Sequence, residues 1–301
     1  MLRALIWDVD GTLAETERDG HRVAFNGAFE ALGIPWRWDV DTYGRLLRVT
    51  GGYERILHDM ASRTDAPASQ PEREALAREL HRRKNALYEA RVATGGIALR
   101  PGVRGLIDEC IDWGVMTAIA TTTGRGNVDA LLRANLGEHW ESRFRAVVCA
   151  EDAPRKKPDP QAYLLALQRL GIEADEAIAI EDSPNGLAAA RAAGIATLVT
   201  RSAYFGDCAF DGALAECDDL AASAPVRSPV VPFAHGPVSL RALREWLAVA
   251  AGGGWAACGG RRAWAGREGG PTRGALSAAP SSAASGSARE ARFVLLTCGA
   301  L

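Results

Sequence analysis

The sequence predicts an α/β protein in which a doubly wound parallel sheet carries an inserted helical cap. Three observations lead there. Short, almost wholly apolar runs alternate with helix-patterned segments after Pro101. A long stretch before it, residues 16–94, has helical spacing and no convincing strand. The chain opens on one more apolar run, residues 2–9, cut short by Asp-Val-Asp-Gly. Strands buried on both faces read as continuous apolar runs, and strands separated by helices pair in parallel through right-handed crossovers.

Taken in order, residues 2–9 are the first strand. In the insertion, Val23, Phe25, Ala28, Phe29 and Leu32 share one helical face, and Gly33 follows as a stop. Tyr43, Leu46 and Leu47, then Ile56, Leu57 and Met60, mark further helices. Residues 71–91 read as a long charged helix with Leu76, Leu80 and Leu87 on its inner side, and Trp36 and Trp38 are expected to pack inside this insertion. Beyond Pro101, helices at 103–113, 127–136, 160–170 and 184–193 interleave with strands at 115–120, 146–150, 177–180 and 195–199. The resulting division is a Rossmann-like core over 1–15 and 95–222, a cap over 16–94, and a tail over 223–301. The tail is rich in Gly, Ala, Ser and Arg from about residue 252, a composition expected to stay largely disordered. No element is read in 223–252, so truncation near Pro232 is expected to leave activity and melting temperature nearly unchanged.

Composition narrows the function classes. The 301 residues are 48% hydrophobic and 24% charged with a formal net charge of -2, an ordinary globular balance with no footprint for nucleic acid. The six cysteines are scattered without a CxxC pair or a neighbouring His at metal spacing, so reduced, mostly buried thiols are expected. The opening residues lack a signal-peptide layout, and no run is long and apolar enough to span a bilayer. A cytoplasmic protein without membrane or nucleic-acid partners is expected, as a monomer.

In doubly wound sheets the ligand crevice lies beyond the carboxyl ends of the strands. That rule points to the residues after Trp7, Ala120, Ala150 and Ile180 before any motif is considered. Those residues are Asp8-Val9-Asp10-Gly11-Thr12, Thr121-Thr122-Thr123, Lys156-Lys157-Pro158, and Glu181-Asp182. Crowded carboxylates repel unless a cation joins them, and magnesium favours such oxygen ligands while retaining water. Asp8 can attack phosphorus to form an aspartyl phosphate, and Asp10 can protonate the leaving oxygen and later activate water. Thr121 and Lys157 can hold non-bridging oxygens; Asp8, Asp10, Glu181 and Asp182 are the candidate metal ligands. Each group also has a bland reading: the threonines, Glu181 and Asp182 could simply cap the helices that follow them.

DVDGT, the threonine after the second core strand, KKPDP and EDSPNG, in that order, resemble the motifs of the haloacid dehalogenase superfamily. The helical insertion is similar to that superfamily's phosphoglucomutase-like cap. More narrowly, DVDGTLAETERDGH, Thr-Gly-Gly at 50–52, ATTT and EDSPNGLAAARAAG resemble the CbbY family of sugar-bisphosphate phosphatases over roughly residues 1–220. The resemblance implies magnesium, a xylulose 1,5-bisphosphate substrate, and Asp8 and Asp10 as nucleophile and acid/base. It further implies that the Asp10 carbonyl joins Asp8 and Asp182 on the metal. By the same resemblance Glu17, His21, Thr50, Gly51, Gly52, Thr122, Thr123 and Asn127 face the substrate. Tyr53 departs from the lysine common in relatives, which leaves a distal phosphate to Arg48 or Arg55. A phosphosugar mutase shares nearly every motif, and a non-catalytic sugar-phosphate-binding protein is the alternative of another class.

Overall fold

The computed structural model describes residues 1–221, 226–228 and 237–252. Its centre is a six-stranded, all-parallel sheet in the order β3-β2-β1-β4-β5-β6. The strands are β1 (Ala4–Trp7), β2 (Met116–Ala120), β3 (Ala146–Val148), β4 (Ala177–Glu181), β5 (Ala196–Thr200) and β6 (Ala215–Cys217). β1 lies between β2 and β4, with Trp7 opposite Ile119 on one side and Ile180 on the other. The chain runs outward from β1 to β3, then returns to β4 and runs outward the other way. The order therefore reverses at β1, which opens the crevice at its carboxyl end.

Two-residue alternation sorts bulk between the faces of the sheet. Leu5, Trp7, Ile119, Ile178 and Ile180 enter a cluster with α5 (Val103–Asp112), α6 (Arg125–Leu136) and α9 (Leu240–Gly252). The opposite face is lined by small residues, Ala4, Ala118, Ala120, Ala177 and Ala179, under α7 (Gln161–Leu170) and α8 (Pro184–Ala192).

Between β1 and α5 the chain forms α1 (Arg22–Ala31), α2 (Val40–Leu46), α3 (Gly52–Ala61) and α4 (Gln70–Ala93) after a single π-helical turn at Glu17–His21. These helices close around their own apolar cluster of Phe25, Phe29, Trp36, Trp38, Tyr43, Ile56, Met60 and Leu80. The indole nitrogens of Trp38 and Trp36 are satisfied by Asp59 at 3.0 Å and Asp65 at 2.7 Å. A capping box between Ser69 and Glu72 starts α4. Its inner face differs from the expected one: Leu80 is buried, but Leu87 is 40% exposed, and Ala77, Lys84, Tyr88 and Val92 complete the buried stripe. Ala77, Lys84, Tyr88 and Val92 all lie to one side of Leu80 around the helix, and Leu87, about 20° to the other side, falls off the edge of that stripe.

Two further departures concern the end of the fold. β6 is only three residues long and was not read from the sequence. Residues 237–252, grouped with the tail, pack on the core instead. Leu240, Leu243, Trp246, Leu247 and Ala250 of α9 are buried, Val238 N donates to Leu220 O at 2.9 Å, and Leu240 N donates to Glu109 Oε2 at 3.0 Å. Their spacing is that of an amphipathic helix, so truncation near Pro232 would remove many buried contacts, against the expectation that it removes few. The expectation of disorder beyond Gly252 lies outside the described residues. Cys110, Cys149 and Cys217 are buried free thiols and Cys208 is half-buried. No helix among the described residues is long and apolar enough to cross a membrane.

Candidate active site

The linkers of the insertion run side by side at the crevice. Ala14 bridges Leu99, and Arg100 N donates to Leu13 O at 2.8 Å. Above the sheet's carboxyl edge lies a cavity of about 530 Å³, walled on one side by strand-end loops and on the other by the insertion.

Asp8 leaves β1 with its backbone N–H on Ile180 O at 3.0 Å. Its side chain is buried and accepts from Lys157 Nζ at 2.6 Å. The same ammonium donates to Glu181 Oε1 at 2.6 Å. Glu181 is fully buried: Tyr163 O–H also donates to Oε1, at 2.7 Å, while Asp182 N–H and Ser183 O–H donate to Oε2. Oε1 thus holds Lys157, and Oε2 is taken up by the turn that leads into α8. Neither Glu181 nor Asp182 caps α8; that is Ser183, whose Oγ accepts from Gly186 N at 3.1 Å. Nor do the threonines cap α6, which starts from Gly124.

Oxygens of Asp8, Glu181 and Asp182 lie within 4.8 Å of one another. Burial drives the Asp8 carboxyl up to about 8; Lys157 opposes this, and Glu181 and Asp10 add to it. Asp182 is pushed well above the usual range by burial, then by Glu181 and Asp8. Such a site is under electrostatic strain that a cation would relieve, and its all-oxygen donors fit a hard divalent ion. Gly11 makes room for Asp182: a Cβ there would lie 2.0 Å from Asp182 Oδ2, and its φ of +85° suits glycine.

The Asp10 side chain turns from this cluster toward the insertion. It accepts from Thr16 Oγ1 at 2.5 Å and from Thr123 Oγ1, and contacts His21 Nε2 at 2.9 Å. Burial raises its pKa, but His21 and these hydrogen bonds outweigh burial and hold the carboxyl below the usual range. Only the Asp10 backbone carbonyl therefore remains as a possible metal ligand. His21 stacks on Tyr88 with ring centroids 4.1 Å apart. Thr121 is buried and accepts at Oγ1 from Thr123 N at 3.2 Å, which leaves its O–H free to donate.

The remaining sequence-predicted residues line the same cavity. Glu17 accepts from Tyr43 O–H at 2.5 Å and lies 3.8 Å from Arg55. Thr50 accepts from Asn185 Nδ2 at 3.0 Å, Gly51 has φ +98°, and Gly52 begins α3. Asn127 donates to Asn85 Oδ1 at 3.1 Å, and Thr122 stands beside Thr121 in the wall. Tyr53 is different: it packs into the insertion's apolar cluster and does not line the cavity.

Sequence reasoning missed three groups. Tyr163 orients Glu181 from α7, where its aromatic ring reads as core. Arg100 binds Thr200 Oγ1 and the carbonyls of Gly11, Thr200, Arg201 and Asp218, tying the Asp10-Gly11 loop to the ends of β5 and β6. Lys84, on α4, is buried at the cavity wall, over the rings of Phe25 and Tyr88. Among the described residues it has an amide partner, Asn85 Oδ1 at 3.3 Å, and no ion pair. Burial lowers its pKa to about 8, against the attraction of Asp10 and Glu17. A lysine at an inward helical position was the available signal.

A family model described as haloacid dehalogenase-like hydrolase matches residues 2–194. The chain is 46% identical over 246 residues to the plasmid-encoded protein CbbY of Cupriavidus necator, covering 81% of this chain and 96% of that one. It is 43% identical over 231 residues to CbbY of Rhodobacter capsulatus, covering 77% and 99%. Among solved structures, a CbbY variant from Rhodobacter sphaeroides in complex with xylulose 1,5-bisphosphate superposes with a TM-score of 0.68 and 42% identity, covering 73% of this chain and 95% of that one. CbbY from the same organism in complex with phosphate gives 0.67 and 41%, covering 72% and 93%.

Proposed function

Since the chain belongs to the haloacid dehalogenase-like hydrolases and, within them, to the CbbY proteins, we propose that it hydrolyses xylulose 1,5-bisphosphate to xylulose 5-phosphate with magnesium. The observation that carries this reading is the meeting of Asp8, Asp10, Thr121, Lys157 and Asp182 at one cavity, whose far wall presents Lys84, without an ion-pair partner among the described residues. A bisphosphate matches that layout: the reacting phosphoryl group lies among the strand-end loops, and the distal phosphate meets Lys84. The complex of the related CbbY with the same bisphosphate supports this substrate.

Asp8, Asp182 and the carbonyl of Asp10 would hold magnesium. When bound, the ion neutralises the carboxylates and the phosphoryl oxygens. Asp8 supplies the nucleophilic oxygen; as its bond to phosphorus forms, the ester P–O bond breaks and the sugar oxygen takes a proton from Asp10. Lys157 and the Thr121 hydroxyl donate to the non-bridging oxygens. In the second half, Asp10 takes a proton from water as it attacks phosphorus, and phosphate leaves Asp8. The arrangement seen, with Asp10 ionised by its three partners, suits the base half. In the acid half those hydrogen bonds give way to one with the leaving oxygen.

The test is phosphate release from sugar mono- and bisphosphates with magnesium, with Asp8→Asn alongside. Wild type should favour xylulose 1,5-bisphosphate, and the variant should lose turnover while keeping its fold. Activity of Asp8→Asn within about tenfold of wild type, ~1.4 kcal/mol in barrier, would sink the covalent mechanism.

A further inference from the structure

The cations around the cavity have different partners. Lys157 is taken up by Asp8 and Glu181, and Arg55 by Glu17 and Tyr43. Lys156, the next residue back from Lys157, reaches the other way, to Glu54 Oε2 on α3 at 2.8 Å. One loop of the core thus sends successive lysines to the reacting carboxylates and to the insertion. The pair fits tightly against Gly51, where an added Cβ would lie 2.1 Å from Glu54 Oε2 and 2.5 Å from Lys156 Nζ. A second link, Asn185 Nδ2 to Thr50 Oγ1 at 3.0 Å, ties the same segment to the start of α8. Residues 50–54 are therefore fastened to the loop after β3 and to the first turn of α8.

We propose that the Lys156–Glu54 ion pair is a latch that docks residues 50–54 on the core and, through the Lys156–Lys157 peptide link, seats Lys157 when the insertion is down. Lys156 is then a positioning residue that acts through Glu54 and Lys157. The Lys156 side chain is 23% exposed and that of Glu54 42%. An ion pair this accessible is weak and screened by salt, as a contact that opens and closes with each turnover must be. The consequence for catalysis rests on the phosphatase reading; the latch itself does not.

The experiment is a double-mutant cycle on the full chain with Glu54→Gln, Lys156→Gln and the pair. The first readout is amide hydrogen exchange over residues 48–54, which needs no substrate. Each single variant should exchange about two- to fivefold faster there, with the double variant no faster than the singles. The second readout is kcat/KM on whichever phosphorylated sugar wild type turns over. It should fall about two- to fivefold in each single variant, with part of the loss in kcat, no further loss in the double variant, and a smaller difference from wild type at high salt. Unchanged exchange, or additive effects of the two changes, overturns the latch. A rise in kcat/KM for Glu54→Gln also overturns it, because a freed Lys156 would then be binding substrate anion. Absence of turnover in wild type condemns the phosphatase reading, while the exchange cycle still decides the latch.

Discussion

Gly186→Ala separates the space around a residue from its backbone preference. Gly186 lies in the first turn of α8 with helical backbone, where alanine would ordinarily stabilise by about 1 kcal/mol. A Cβ there would lie 1.9 Å and 2.1 Å from the Glu181 carboxylate oxygens and 2.0 Å from the carbon between them. Glu181 has nowhere to go, being fully buried among Lys157, Tyr163 and the Asp182 N–H. Overpacking costs about 1–3 kcal/mol, and each hydrogen bond to a charged group that is lost costs about 1.5–3 kcal/mol. Set against the propensity gain, the net loss is about 2–4 kcal/mol, or roughly 5–15 °C in melting temperature for a fold of this size. A displacement of Lys157 by about 1 Å would cost on the order of 10² in rate. Gly105→Ala is the control, since that helical glycine is exposed with no atom within 4 Å of an added Cβ. Calorimetry and phosphate release should show Gly105→Ala unharmed or stabilised and Gly186→Ala impaired in both. If both variants melt alike and keep activity within tenfold, Glu181 does not hold Lys157 as described.

Asp10→Asn should bind magnesium through the unchanged backbone carbonyl yet lose roughly 10²–10⁴-fold in kcat; recovery at high magnesium would instead make Asp10 a metal ligand only. Asp8, at about 8, and Asp182 have raised pKa values, so the metal-free fold binds more protons than the unfolded chain between about pH 4 and 8. Its stability contribution from these groups is present at the acid end of that window and is lost as pH rises. Magnesium competes with those protons, so the stability gain at 100 times the dissociation constant, about 2.7 kcal/mol and read as a rise in melting temperature, should be reached at lower magnesium at pH 8 than at pH 5. The reverse order would place the ion elsewhere. Leu243→Ala should cost about 2–5 kcal/mol, because Leu243 is fully buried on the inner face of α9; a melting temperature unchanged by this substitution would show that α9 is not part of the fold.

What was legible in the sequence shares one property: it is fixed by local pattern. β1 to β5 read as apolar runs; Asp8, Asp10, Thr121 and Asp182 follow β1, β2 and β4 within three residues, and Lys157 lies in the loop after β3. A parallel sheet puts all its carboxyl ends on one edge, so the pattern along the chain becomes proximity in space. β6 is as short as the all-apolar β3 but reads Ala-Glu-Cys, and the charge at its centre breaks the apolar run. α9 has the right period, but it follows a stretch rich in polar and proline residues, and its apolar face is covered by a cluster that includes α5, more than a hundred residues earlier in the chain. Tyr163 and Arg100 act through partners 18 and about 100 residues away, Glu181 and Thr200, a separation no local pattern records. Tyr53 misled for a related reason, since its position in the Thr-Gly-Gly segment suggested the cavity whereas the first turn of α3 directs it into the apolar cluster.

The distribution of charge explains why the two walls must cooperate. On the sheet side stand four carboxylates, Asp8, Asp10, Glu181 and Asp182, and one buried ammonium, Lys157, which pairs with Asp8 and Glu181. Left so, two of the carboxyls move toward the protonated form, in which Asp8 is a poor nucleophile. A cation is therefore a condition of the chemistry on that wall. On the insertion side the balance is reversed. Glu17 offsets Arg55 and Glu54 offsets Lys156, which leaves Lys84 and the exposed Arg48 facing the cavity. A bisphosphate in this field would have one favoured direction: its reacting end at the carboxylates that would hold the metal, and its distal end toward Lys84 and Arg48. Lys84 is desolvated enough to have its pKa lowered to about 8, so a phosphate there would restore the charge that burial disfavours. Binding of the distal phosphate and protonation of Lys84 are then linked, and affinity for a bisphosphate should decline above pH 8 more steeply than affinity for a monophosphate.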